Sequence, residues 1–403
     1  MPGDCRRTPL SSDITDADDS GANLPHGGGN FDQSVTNKGD ANDGRDGVVK
    51  LVLGRKDLKP DMPDHSGRTP LLWAANFGYD EVVRVLLGRK DVNANMPDND
   101  GRTPLSDAAA CGHLSVVKLL LEQPNINANS IDRFGRTPLL NAAQRGFHLI
   151  VQLLLEREEV TAGTTDIDGE TPLSLASQFG CYRVVKQLLR REEVTASTSN
   201  RFGDTPLTYA AKLGDDRVVK LLLAREEVNP NMRDRDEQTA LFCAAQRGSD
   251  RVVELLLERE DLIPDIPSFS YQTPLACAAK YGFHRVVKLL LEREDVYPNM
   301  ADLAGQTPLS LAAAGGHDGV VKLLLEREDV YPNMTDLAGQ TPLSLAAAGG
   351  HDGVLEILLG REDVNPNIRD NDGRTPLWWA DCSGSQRAVK LLQARQSANP
   401  NTV

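Results

Sequence analysis

Long apolar runs are missing from this chain. Nothing in it approaches the ~18–20 consecutive apolar residues of a membrane-spanning helix, so no membrane insertion is expected. Positive charge is also in deficit. A net charge of −14, with 25% charged residues, suits a soluble protein and argues against general nucleic-acid binding. The six cysteines form no Cys-x-x-Cys pair. There is no Gly-rich phosphate loop ending in Lys-Ser/Thr and no His-Glu-x-x-His. The N-terminal segment lacks the apolar core of a signal peptide, and its acidity opposes a mitochondrial transit peptide. These absences predict a protein that is not secreted, residing in the cytoplasm or nucleus. They also predict no catalysis and no cofactor.

What the chain does have is repetition. Residues 286–320 laid over 320–354 differ at a single position, Ala301 against Thr335. The same period of 34 runs through Thr69, Thr103, Thr137, Thr171, Thr205, Thr239, Thr273, Thr307, Thr341 and Thr375. Pro-Leu follows each of these except Thr239, which precedes Ala240-Leu241. A Gly stands nine residues beyond every Thr, from Gly78 to Gly384. A periodicity of this kind marks stacked structural repeats.

The repeat at 98–131 shows what each one must be. Thr103 can cap a helix, and Pro104 suits the first helical position. Leu105, Ala108 and Ala109 share one face at helical spacing, and Gly112 ends the helix. A second helix carries Val116, Val117, Leu120 and Leu121 as its apolar stripe, with Lys118 and Glu122 outside. A polar loop rich in Asn, Asp and Gly follows. Neither short helix can bury its stripe alone, so stacking on neighbours must supply the core. At roughly 8–10 Å per layer, ten repeats predict a curved rod on the order of 90–100 Å long. The expected class is all-α.

The stretch "DNDGRTPLSDAAACGHLSVVKLLLE" at 98–122 resembles the ankyrin repeat, and the resemblance covers about five-sixths of the chain. The arrays of filamentous fungi are the most similar, down to the "LLEREDVNPN"-style ending. The resemblance implies a solenoid of helix-turn-helix units joined by hairpin-like loops. It also implies a scaffold or adaptor that binds a protein partner, of unknown identity, through its concave face. An alternative is a sensing array detached from a larger nucleotide-binding signalling protein. The chain departs from the family in several ways. Its period is 34, and its second helices run into Glu-Arg-Glu. The family's His after Thr-Pro-Leu is replaced throughout, by Leu72, Ser106, Leu140, Ser174, Thr208, Phe242, Ala276, Ser310, Ser344 and Trp378. In the sixth repeat Glu237 replaces the hairpin Gly and the Pro is absent, which makes 234–267 the expected weak link.

The expected repeats are 64–97, 98–131, 132–165, 166–199, 200–233, 234–267, 268–301, 302–335, 336–369 and 370–403. Residues 46–63 match the second half of a repeat and read as a degenerate cap. Residues 1–45, rich in Gly, Asp, Ser and Asn, read as a disordered tail. The isolated "RTPLS" at 7–11 fits a deletion, a misjoined gene model or a purpose-built cap. Cys243 and Cys277 occupy one position of adjacent repeats, a helix-packing distance apart, which predicts reduced thiols. His113, His317 and His351 share a position at the start of the second helix and read as structural.

Within the ankyrin family, partners touch the hairpin around its Gly, the residue before Thr, and the end of the first helix. Carried onto this sequence, those positions in the third to seventh repeats are aromatic and basic. They nominate Arg133, Phe134, Arg136, Arg145, Phe179, Arg201, Phe202, Lys212, Phe269, Tyr271, Lys280 and Tyr281 as partner-binding residues. Aromatics and Arg dominate interface energetics. The basic excess suits a partner with an acidic surface, met by a monomer. The duplicated repeats offer Leu303, Ala304, Gln306, Leu337, Ala338 and Gln340 instead, a bland contrast.

Overall fold

The computed structural model describes residues 59–398. The expected tail at 1–45 and the helical part of the expected half-repeat at 46–63 lie outside the described residues. Two compact units divide the chain between Thr195 and Ala196. The first holds α1 (Pro70–Phe77) and α2 (Asp80–Leu87), α3 (Pro104–Cys111) and α4 (Leu114–Leu121), α5 (Pro138–Gln144) and α6 (His148–Leu155), and α7 (Pro172–Gln178) and α8 (Tyr182–Leu188). The second begins with α9 (Pro206–Leu213) and α10 (Asp216–Leu223), α11 (Ala240–Arg247) and α12 (Asp250–Leu257), and α13 (Pro274–Tyr281) and α14 (His284–Leu291). It continues with α15 (Pro308–Ala314) and α16 (Asp318–Leu325), α17 (Pro342–Gly349) and α18 (Asp352–Leu359), and α19 (Pro376–Ser383) and α20 (Gln386–Ala398). Among the described residues there are twenty helices and no strand.

Each first helix starts where its Thr predicts. The Thr103 hydroxyl accepts from the Ser106 amide, Pro104 opens α3, and Gly112 closes it at φ 81°. The missing family His is replaced by a shorter device. Ser106, Ser174 and Thr208 send their hydroxyls back to the amide of the capping Thr, closing reciprocal capping boxes. Even Thr239, without a Pro after it, caps Phe242 at 3.2 Å. The sixth repeat therefore keeps its helix start, and what remains unusual in it is the hairpin.

Small residues let the first helices stack closely. Ala108 and Ala109 in α3, and Ala244 and Ala245 in α11, are fully buried. In the second helices Val116, Val117 and Leu120 are buried, as are Val252, Val253 and Leu256. Each such Leu or Val contributes about 1.5–3 kcal/mol of transfer free energy. Cys243 and Cys277 are buried free thiols, and burial pushes both up to about 12.

The Glu-Arg-Glu ending, a departure from the family, gains a physical role. Arg157 reaches 36 residues back to the carbonyl of Leu121, 2.9 Å away, and Arg191 does the same to Leu155 at 2.8 Å. In the second compact unit Arg259, Arg293, Arg327 and Arg361 repeat the reach. Each guanidinium satisfies a carbonyl that the end of the preceding second helix leaves open. The histidines also staple repeats. Nε2–H of His113 donates to the carbonyl of Asn76 at 2.9 Å, and His317 and His351 do likewise to Lys280 and Ala314. Burial lowers the pKa of His113.

Candidate functional site

The nominated residues stand on a loop whose backbone is fully specified. Asp98 is buried, and its Oδ1 accepts from the amides of Asp100 and Arg102, both at 2.9 Å. The turn then needs a left-handed residue, Gly101 at φ 81°. A Cβ there would lie 3.2 Å from the Asp132 Cα and the Ile131 carbonyl, because the next hairpin presses against it. Within each compact unit, a backbone hydrogen bond stitches one hairpin to the next. The Arg133 amide donates to Asp100 and the Ile167 amide to Phe134 in the first compact unit. In the second, Arg235 donates to Phe202, Phe269 to Asp236, Leu303 to Ser270 and Leu337 to Ala304. Side chains at equivalent stations are thereby held in register, one repeat apart.

In the first compact unit, Arg133 and Arg136 both lie over the Phe134 ring, their guanidinium carbons 4.7 and 4.8 Å from its centroid. Arg133 also pairs with Asp100 at 2.7 Å, and Arg136 with Asp132 at 3.1 Å. Arg145 and Phe179, at the ends of α5 and α7, are exposed. The second compact unit holds a related arrangement, with the second Arg drawn from the next hairpin. Arg201 and Arg235 lie 4.7 and 5.0 Å from the Phe202 centroid. Phe269 is 76% and Tyr271 58% exposed, one hairpin beyond that of Arg235. Lys280 lies 5.8 Å from the Tyr281 ring centroid at the end of α13. Such cation–π pairs hold long Arg side chains flat and leave ring edges for a partner.

Lys212 differs from the others. Its ammonium binds Asp204 at 2.7 Å and Asp234 at 2.8 Å. Burial works against the charge, but these two hydrogen bonds outweigh it and raise the pKa. The side chain fastens two hairpins together.

Two features were only partly legible in the sequence. Among the described residues, Glu237 (φ 59°) and Tyr271 (φ 60°) are the non-glycine residues at positive φ, both at the hairpin-Gly station. Glu237 was singled out; Tyr271 was noticed only as an aromatic. Asking for Gly at every 34th residue from Gly101 would have found both. Secondly, Trp73, Phe77 and Tyr79 form an exposed stack at the end of α1, with centroids 5.6 and 5.8 Å apart. Phe77 shares the repeat position of Arg145, Phe179 and Tyr281, so the same rule pointed to it. The duplicated repeats are less bland than expected, since Leu303 and Leu337 are exposed apolar side chains.

The family model described as Ankyrin repeats (3 copies) matches residues 40–132, 124–198, 174–268, 260–336 and 328–403. The chain belongs to the ankyrin-repeat family. Ankyrin repeats are in general protein–protein interaction modules. No curated protein matches the chain. Among the described residues no helix is long and apolar enough to cross a membrane. Nor does any group of three or more His, Cys, Asp or Glu come together there to hold a metal ion.

Proposed function

We propose that this ankyrin array is a non-catalytic scaffold or adaptor, acting as an intracellular monomer, that docks a protein partner on its hairpin loops and adjoining first-helix ends. The observation that carries this reading is a Phe met by two Arg guanidinium groups at the same hairpin station in both compact units, Phe134 by Arg133 and Arg136 of its own hairpin and Phe202 by Arg201 and by Arg235 of the next. Rigid aromatic and Arg groups bind at low entropic cost, and they are the residue types that anchor interfaces. Phe134 with Phe179 forms one contact patch, and Phe202 with Phe269, Tyr271 and Tyr281 another. Basic groups beside Phe134, Phe202 and Tyr281 suit an acidic partner surface. The ten repeats from 64 to 403, preceded by a half-repeat and an acidic tail, are the domain organisation we propose with it.

The test is affinity capture from native extract with the full chain, with a chain carrying Phe202→Ala and Tyr271→Ala, and with a control carrying Leu303→Ala and Leu337→Ala. A specific partner should be retained by the control and lost by the aromatic variant. Retention by both contradicts the placement. With the captured partner purified, Arg235→Glu should slow association and flatten its salt dependence.

A further inference from the structure

The loops after several second helices are laced by a side-chain ladder. Asn231 accepts the Ile263 amide on Oδ1 at 2.9 Å, and donates from Nδ2 to the Asp261 carbonyl at 2.7 Å. Asn299 repeats this with the Tyr331 amide and the Asp329 carbonyl, and Asn333 with the Asn365 amide and the Asp363 carbonyl. Asn95 and Asn129 do the same in the first compact unit. The rule is constant. The amide oxygen takes an N–H 32 residues on, and the amide nitrogen gives to a carbonyl 30 residues on.

Asp265 occupies one rung. Its Oδ2 accepts the Tyr297 amide at 2.6 Å, as the rule requires. Its Oδ1 stands where the asparagine rungs have an NH₂, and it is buried with no hydrogen-bond partner, as is Oδ1 of Asp61 at the matching station, whose Oδ2 accepts the Asn93 amide. Thirty residues on is the carbonyl of Asp295. An ionised carboxylate would set a lone pair against that carbonyl, in a place shielded from water. A protonated carboxyl would donate to it and reproduce the asparagine.

We propose that Asp265 is a proton-operated fastener between the loops at 261–266 and 293–298. With its proton it completes the rung to Asp295; without it the rung is broken and the junction opens more readily. The inference does not depend on what the protein binds.

The surrounding charges agree with the geometry. Burial is the largest influence and pushes Asp265 up to about 6, the Tyr297 amide opposes this, the Asp295 carboxylate adds to it, and Arg327 opposes it. Arg327 is itself committed to Asp329 at 2.7 Å, and Arg293 to Asp295 at 2.7 Å. The folded form thus holds its proton more tightly than the unfolded chain, whose ordinary value is 3.8. Stability from this rung is whole below the unfolded value. It falls as pH rises from about 4 to about 6 and stays low above that.

Hydrogen exchange at the Tyr297 amide, corrected for the intrinsic pH dependence of exchange, reads the junction directly. In the full chain the opening equilibrium should rise about tenfold between pH 5 and pH 7.5. Asp265→Asn should abolish that rise and protect the loop at both values. Asn231→Asp should transplant it, giving the Ile263 amide the same dependence. A flat wild-type profile overturns the proposal. So does a rise that survives unchanged in Asp265→Asn, or an Asn231→Asp chain whose Ile263 amide stays flat.

Discussion

Two stretches of the second compact unit share one backbone plan and use it differently. The duplicated repeats place Gly305 and Gly339 at the left-handed hairpin station, at φ 76° and 78°. The sixth and seventh repeats place Glu237 and Tyr271 there. A residue with a Cβ in this conformation costs about 1–2 kcal/mol. The hairpin bonds are nonetheless kept: the Glu237 amide donates to Asp234 at 2.9 Å and the Tyr271 amide to Ser268 at 2.8 Å. Strain persists only where surrounding structure over-determines it, and such residues cluster at binding sites. The regular repeats show what the scaffold needs; the strained pair is where the proposed interface asks for a side chain.

The contrast can be broken most severely at the proposed interface. Replacing Phe202, Phe269 and Tyr271 together with Ala should weaken partner binding at least a hundredfold, about 3 kcal/mol, at the lower end of anchor energies. Leu303→Ala with Leu337→Ala should change affinity less than threefold. Isothermal titration with the captured partner measures both.

Exchanging the hairpin residues sharpens it next. A Cβ on Gly305 would sit 2.8 Å from the Leu337 amide nitrogen, in addition to the left-handed φ. Gly305→Ala should therefore destabilise by about 2 kcal/mol. Glu237→Gly should stabilise by about 1 kcal/mol, although it also loses the exposed Arg233 pair at 2.7 Å. Urea melts followed by circular dichroism give both signs. Equal behaviour at 237 and 305 would mean the strain is not felt.

Arg293 offers a smaller effect. Arg293→Ala removes a bond to the Leu257 carbonyl at 3.2 Å and a half-exposed pair with Asp295. A loss of about 1 kcal/mol is expected, read as a shift in urea midpoint. Arg293→Lys should not rescue it fully, because an ammonium cannot span carbonyl and carboxylate with one planar fork.

Much of this was legible from the chain. Thr, Pro and Gly at fixed offsets are local devices, so the helix starts and ends fell where those residues stand. The all-α stack followed from stripes too short to be buried alone. The cation–π partners were less visible. Arg235 meets Phe202 across 33 residues, through a hairpin stitch that no local pattern shows. Lys212 read as an exposed cation at a helix end, whereas two carboxylates from successive hairpins enclose it. The Asp265 rung was invisible for a similar reason. Asn and Asp look interchangeable in a polar loop, and only the ladder's 30- and 32-residue reach shows that one needs a proton. Replacement of the His after Thr-Pro-Leu left open how its hydrogen bonds are made, and a hydroxyl three residues after Thr supplies one locally at Ser106, Ser174 and Thr208.

The central claim is that the strained hairpin is kept for its side chain, and Tyr271→Gly tests it in one protein. The substitution relieves the left-handed strain and removes an exposed ring without touching the buried core. Thermal melts and partner titration should then move in opposite directions. The melting temperature should rise, by the equivalent of about 1 kcal/mol, while affinity falls about tenfold. A chain that becomes more stable and binds its partner as tightly as before would contradict the account.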